Sequence, residues 1–288
     1  MSTNIKYKAS VFSSLFSDPD VLRELYCALE GVTLPPDIPI TINTLENVLF
    51  MGRINDISFE IGGKLVVLVE HQSTINPNMA LRLNLYMARL YEKMFREKSL
   101  YSGKQLKIPR PEFFVLYNGK APYPDQEVIR LSDAFEKVEL PGQPEKVKPS
   151  LELEIRVINI NEGRNGEIAS RCKKLTEYSA FIAKVRSFEQ ELGSLEEAMK
   201  SAIKYCLNND ILSEFLELHS KEVFNMLITE WDTEKAKEVW YEEGLEDGME
   251  KRNIELAKNA LSEGLSIDVI RKITGLDEET IKGLSPGK

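Results

Sequence analysis

The stretch "NDISFEIGGKLVVLVEHQST", Asn55 to Thr74, constrains the fold more than any other part of the chain. Gly62-Gly63 is a two-residue turn signal between two segments of strand character. The first, roughly Arg53 to Ile61, places Asp56, Ser58 and Glu60 on one face and Ile57, Phe59 and Ile61 on the other. The second, Lys64 to Gln72, is apolar on both faces until it reaches Glu70 and Gln72, the pattern of a strand covered on two sides. Folding the hairpin about the glycines sets Asp56 beside Val69 and Glu70, and Glu70 shares its face with Gln72.

Two carboxylates brought together in a half-buried site repel each other and resist ionisation. A divalent cation removes that cost. Mg²⁺ or Mn²⁺ takes carboxylate oxygens, a backbone carbonyl and waters, and keeps positions open for a phosphate. The same residues also suit a plainer arrangement, in which the acids are solvated at strand ends and Glu70 pairs with Arg82 on the next helix. Spacing alone leaves both readings open.

Composition narrows the class. With 288 residues, 42% of them hydrophobic, the chain can build one sizeable core or a core with an appendage. It holds no run of about 18 apolar residues, so no membrane span is expected. "MSTNIKYKASVF" lacks the apolar region of a secretory signal. Three dispersed cysteines, Cys27, Cys172 and Cys206, read as reduced core residues of a cytoplasmic protein. Two histidines, His71 and His219, are too few for a histidine-rich metal site. The net charge of −9 argues against a uniformly basic nucleic-acid binder. The local field differs: Asn76 to Lys107 carries Arg82, Arg89, Lys93, Arg96, Lys98, Lys104 and Lys107 against Glu92 and Glu97.

Around the hairpin, "SVFSSLFSDPDVLRELYCALEGV" predicts two short helices, the second capped by Asp18, opened by Pro19 and ended by Gly31. "TINTLENVLF" suits a short strand or a helix, with Asn43, Thr44 and Glu46 weakening either. "NPNMALRLNLYMARLYEKMFREK" is a long helix whose apolar stripe includes Met79, Leu83, Tyr86, Met87, Leu90 and Met94. "RPEFFVLYNG" and "LELEIRVINI" are strands, separated by a polar excursion read as irregular. From Ile168 the pattern is helical. The tail holds a long charged helix, a break at Gly264 and two short helices around Gly275-Leu276. The expected architecture is a mixed α/β core with a helical C-terminal extension. The tail has the rhythm of a DNA-reading helix-turn-helix, but Asp277, Glu278 and Glu279 open its second helix and favour a protein contact.

"NDISF", "VVLVEHQSTINPNMALRLNLYMARLYEKM" and the upstream "SVFSSLFSDPDVLRELYCALEG" together resemble the Rpn family of recombination-promoting nucleases and transposases, within the PD-(D/E)XK nuclease superfamily. The tail "GLSIDVIRKITGLDEETIKGL" is similar to the end of many members. The resemblance covers most of the chain and is most specific at "EHQS" followed by "MALRLNLYM". It implies a restriction-endonuclease-like core over residues 1–205 and a helical region over 206–288. It implies a DNA endonuclease using Mg²⁺ or Mn²⁺. Asp56 and Glu70 would be metal ligands, the His71 carbonyl a third, and Gln72 would stand in place of the superfamily's lysine to orient the attacking water. Arg82 and Tyr86 would point toward the scissile phosphate; a surface ion pair is the competing role for Arg82. The His71 ring, pointing away from Glu70, belongs to the core or supports a ligand. DNA is the expected partner, and the C-terminal helices offer a route to homo-oligomers.

One departure stands out. Members often carry an acid just before "SVF", where this chain has Ala9. That leaves three alternatives: weakened metal affinity, a degenerate nuclease that acts by binding DNA or protein, or an introduced substitution.

Overall fold

The computed structural model describes residues 11–43, 57–95, 100–101, 103–136 and 149–284, with the side chains of 229–248, 250, 251 and 279 excepted. It divides into two units, Met1–Leu227 and Ile228–Lys288.

Among the described residues, the first unit is built on a mixed six-stranded sheet. Its strands are β1 (Ile40–Ile42), β2 (Ile57–Ile61), β3 (Leu65–Gln72), β4 (Arg110–Tyr117), β5 (Gln126–Arg130) and β6 (Glu154–Asn159), in the order β1-β2-β3-β4-β6-β5. β3, β4 and β6 run parallel; β1 and β2 add antiparallel at one edge and β5 at the other. The parallel step from β3 to β4 requires a crossover, and α3 (Met79–Met94) supplies it. Met79, Leu83, Tyr86, Met87 and Leu90 pack on Val66, Leu68, Phe113, Val115, Ile155 and Val157 to form the core on that face.

The opposite face is covered by α1 (Val11–Leu15), α2 (Pro19–Glu30) and α5 (Lys173–Leu192), with the short α4 (Gly166–Arg171) leading into α5. Phe12 of α1 and Tyr178 of α5 close on His71 of β3, and Arg156 of β6 reaches Glu30 and the Leu29 carbonyl of α2. The caps of α2 are those expected. Asp18 accepts from the Asp20 and Val21 amides, Pro19 opens the helix, and Gly31 ends it at φ 67°. α6 (Leu195–Asn208) packs along α5. Cys172 and Cys206 are buried, and burial pushes their thiols up to about 12 and about 11. Cys27 is half-buried and free.

The second unit takes in the later turns of α7 (Ser213–Ser262), α8 (Ile267–Thr274) and α9 (Glu278–Gly283). Ala257, Ala260, Ile270 and Ile281 form its core. Asp277, one of the acids at the start of the last helix, caps α9 by accepting the Thr280 amide at 2.8 Å. No helix among the described residues is long and apolar enough to cross a membrane.

Three expectations change. The hairpin loop holds three residues rather than two, because Ile61 pairs with Leu65 and Lys64 joins Gly62 and Gly63 in the turn. The Lys64 amide closes the turn on the Ile61 carbonyl, and its own carbonyl is taken by the Arg110 amide of β4. Residue numbers facing each other therefore sum to 126, as in Ile57 with Val69. Second, the polar excursion is not wholly irregular, since β5 forms within it. As an edge strand it is exposed at four of its five positions, so no apolar alternation betrays it. Third, the ambiguous stretch resolves at its start, where β1 ends at Ile42. Residues 44–56, including Asp56 and the start of the first expected strand, lie outside the described residues, as does Ala9.

Candidate active site

The site follows from the pleat of β3. Even-numbered residues project toward α3. Val66 and Leu68 fill the core there, and as the strand runs out at its carboxyl end the same face presents Glu70 and then Gln72. The chain turns back through an Asn76 side chain that accepts the Asn78 amide at 2.9 Å, and α3 begins at Met79. One turn into α3, Arg82 comes level with Glu70.

Glu70 is 3% exposed. Its Oε2 accepts from Arg82 Nη2 at 3.1 Å, and the same nitrogen lies 3.3 Å from the Tyr86 hydroxyl. Arg82 Nη1 and Gln72 Nε2 both approach the Met79 sulfur, at 3.2 and 2.6 Å. The structure thus brings Glu70, Gln72, Arg82 and Tyr86 into one cluster centred on the first two turns of α3. The Glu70–Arg82 pair anticipated as the plainer arrangement is present, and it is half-buried, with the Arg82 side chain 21% exposed. Met79 was expected only in the core stripe. It is fully buried, yet its sulfur also joins Gln72 to Arg82. The i, i+3 spacing of Met79 and Arg82 was the available signal.

His71 lies on the other face, as expected. Its ring stacks on Phe12 with centroids 4.8 Å apart, and Tyr178 Oη lies 3.2 Å from Nε2. Burial, and secondarily the Arg186 charge, pushes the imidazole down to about 4. The ring is neutral and lies on the face of β3 opposite Glu70.

The described donors suit a hard cation in kind: a carboxylate, a side-chain amide and a backbone carbonyl. The Arg82 guanidinium against Glu70 Oε2 already gives this carboxylate a positive partner. In number they are too few, since no group of three His, Cys, Asp or Glu side chains that could hold a metal occurs among the described residues.

The family description "Putative transposase, YhgA-like" matches residues 52–206, just over half of the chain. The chain belongs to the YhgA-like transposase family. The match begins four residues before Asp56 and ends within α6, so it spans the hairpin, α3, the parallel strands and α5 of this transposase-family protein. No curated protein and no solved structure matches the chain.

Proposed function

We propose that this transposase-family protein is a metal-dependent DNA endonuclease that hydrolyses phosphodiester bonds in recombination or transposition. One observation carries the reading: Glu70, a carboxylate almost wholly withdrawn from water, lies at the carboxyl end of a parallel strand beside Gln72, in a family described as transposases. An acid fills a core less well than an apolar side chain of its size, and its burial requires a charge partner, which Arg82 supplies in this structure. The carboxyl ends of parallel strands are where open α/β sheets place their ligands. We take the mixed sheet to be the restriction-endonuclease-like core.

In this reading Asp56, Glu70 and the His71 carbonyl hold Mg²⁺ or Mn²⁺. Asp56 enters this reading from the hairpin sequence alone, since it lies outside the described residues. When bound, the ion supplies a water of lowered pKa and offsets negative charge at the phosphodiester. Gln72, which can neither carry charge nor serve as a base, orients the attacking water. Arg82 exchanges its bond to Glu70 for the scissile or flanking phosphate, with Tyr86 beside it. Arg89 and Lys93 further along α3 extend the positive field that an otherwise acidic chain needs to meet DNA. We place the protein in the cytoplasm, with self-association through the C-terminal helices.

A second reading is favoured by the ion pair itself. The Arg82 guanidinium already neutralises Glu70 at 3.1 Å, and with Ala9 in place of an acid the chain could keep the fold and act by binding DNA or protein alone. The experiment that separates them incubates the full chain with supercoiled and linear DNA, with Mg²⁺, Mn²⁺ or a chelator. Nicking or cutting that needs the divalent ion and is lost in Asp56→Ala and Glu70→Ala is the expected result. DNA binding with no divalent-dependent cleavage selects the second reading. Cleavage by both variants at the parent rate places the site elsewhere. Activity gained in Ala9→Glu identifies a damaged nuclease.

A further inference from the structure

On the same face of the sheet as Glu70 lie two polar side chains that neither the core nor the cluster around Arg82 uses. β1 and β2 pair with numbers summing to 101, as in Ile42 with Phe59, so the next step sets Asn43 opposite Ser58. The Asn43 amide donates to the Ser58 carbonyl at 2.7 Å. Residues directly opposite on antiparallel strands project to the same side. Ser58 is opposite Leu68 on β3, and Leu68 shares its side with Glu70. Asn43, Ser58, Leu68 and Glu70 therefore project to the α3 face, with Ser58 between Asn43 and Leu68 and diagonal to Glu70.

Ser58 is 4% exposed, and its Oγ has no hydrogen-bond partner among the described residues. Asn43 Nδ2, across the ladder, is likewise buried and without one. Buried polar atoms of folded proteins nearly always have a partner, and where the protein supplies none an ordered water does. Alanine or valine would fill position 58 of an apolar strand without leaving a hydroxyl unpaired. Two such groups side by side, one a donor and one a donor or acceptor, next to a buried carboxylate, form the setting a water needs.

We infer that Asn43 and Ser58 hold a buried water that fixes the orientation of the Glu70 carboxylate. The inference rests on the reading of Glu70 as a metal ligand. The water accepts from Asn43 Nδ2 and from the Ser58 hydroxyl. Both its hydrogens are then free to donate, and one is directed to Glu70. Asn43 and Ser58 are positioning residues: they touch neither substrate nor metal and act through the carboxylate, as groups that hydrogen-bond a metal ligand from behind do.

Two measurements on the full chain test this. A crystal structure should show density for a water between Asn43 Nδ2 and Ser58 Oγ; an empty gap overturns the inference. Calorimetric titration with Mn²⁺ should show affinity falling about tenfold in Ser58→Ala and returning in Ser58→Thr, which keeps the hydroxyl. Unfolding midpoints taken alongside separate this from a change in stability. If Ser58→Ala binds Mn²⁺ as the parent does, Ser58 has no orienting role and the inference is overturned. If the parent binds no Mn²⁺, the metal reading fails, and the density alone decides whether the water site exists.

Discussion

The two faces of β3 bury opposite kinds of polar residue in opposite ways. Toward α1 and α5, Val67 and Val69 lead to His71, whose imidazole is neutral, stacked on Phe12 and bonded to Tyr178. Toward α3, Val66 and Leu68 lead to Glu70, a carboxylate matched by the Arg82 guanidinium. A histidine can shed its proton to enter a core. A glutamate that stays ionised must bring a cation with it. Hence the residue type most often associated with metals is spent on packing, while the acid one position earlier carries the charge and, under the proposed function, the chemistry. If the comparison holds, changes on the α3 face move activity and stability together or apart at will, whereas changes on the α5 face move stability alone.

The largest effect should come from Glu70→Gln. It keeps the shape and removes the charge, and divalent-dependent DNA cleavage should fall by about 10²–10³-fold, measured as initial nicking rate on supercoiled DNA. Cleavage at the parent rate would put Glu70 on the same footing as His71 and dissolve the contrast.

The same substitution strands Arg82 beside a neutral partner. Breaking a buried pair from one side costs about 3 kcal/mol when the remaining charge is fully enclosed; with the Arg82 side chain 21% exposed the loss should be smaller. Adding Arg82→Met should recover most of that stability in a denaturant titration and none of the cleavage. A double variant as unstable as Glu70→Gln alone would mean that the pair is not what holds Arg82 in place.

On the other face the test is pH. The His71 imidazole has its ordinary value of 6.5 in the unfolded chain and is pushed down to about 4 in the folded one. Between those values the unfolded chain binds more protons. The contribution of His71 is therefore complete above the upper value and is lost as pH falls through the window, by about 3 kcal/mol in all. Denaturant midpoints should decline as the medium is acidified, more steeply for the parent than for His71→Gln. Equal slopes would show that the imidazole is not held neutral.

Local signals carried much of this in the sequence. Asp18, Pro19 and Gly31 act within a turn of the helix they bound, and the strand, helix, strand order around Met79–Met94 follows from local periodicity. The alternation of β3 was enough to put His71 and Glu70 on different faces. What stayed hidden depends on partners distant in sequence. β5 has no inward face of its own and is a strand because β6 offers an edge. The loop length was misjudged because Lys64 bonds to β4, forty-six residues on at Arg110. Asn43 was weighed against strand and helix alike, yet the register makes it the counterpart of Ser58, a pairing invisible until β1 and β2 are aligned. The choice between an ion pair and a metal at Glu70 was left open by spacing, and Arg82 now occupies the carboxylate without excluding its exchange for a phosphate.

The smallest predicted effect is also the cleanest check on the α5 face. Tyr178→Phe keeps the ring whose edge meets His71 at a centroid distance of 5.4 Å and deletes the hydroxyl 3.2 Å from Nε2. One buried hydrogen bond lost should cost about 1 kcal/mol, read as a lowered denaturant midpoint with unchanged slope. DNA cleavage per folded molecule should not change, because the hydroxyl lies across the sheet from Glu70 and neither its charge nor its position reaches the α3 face. A fall in cleavage at full occupancy of the fold would mean that the two faces communicate through the β3 backbone, with the His71 carbonyl as the natural link.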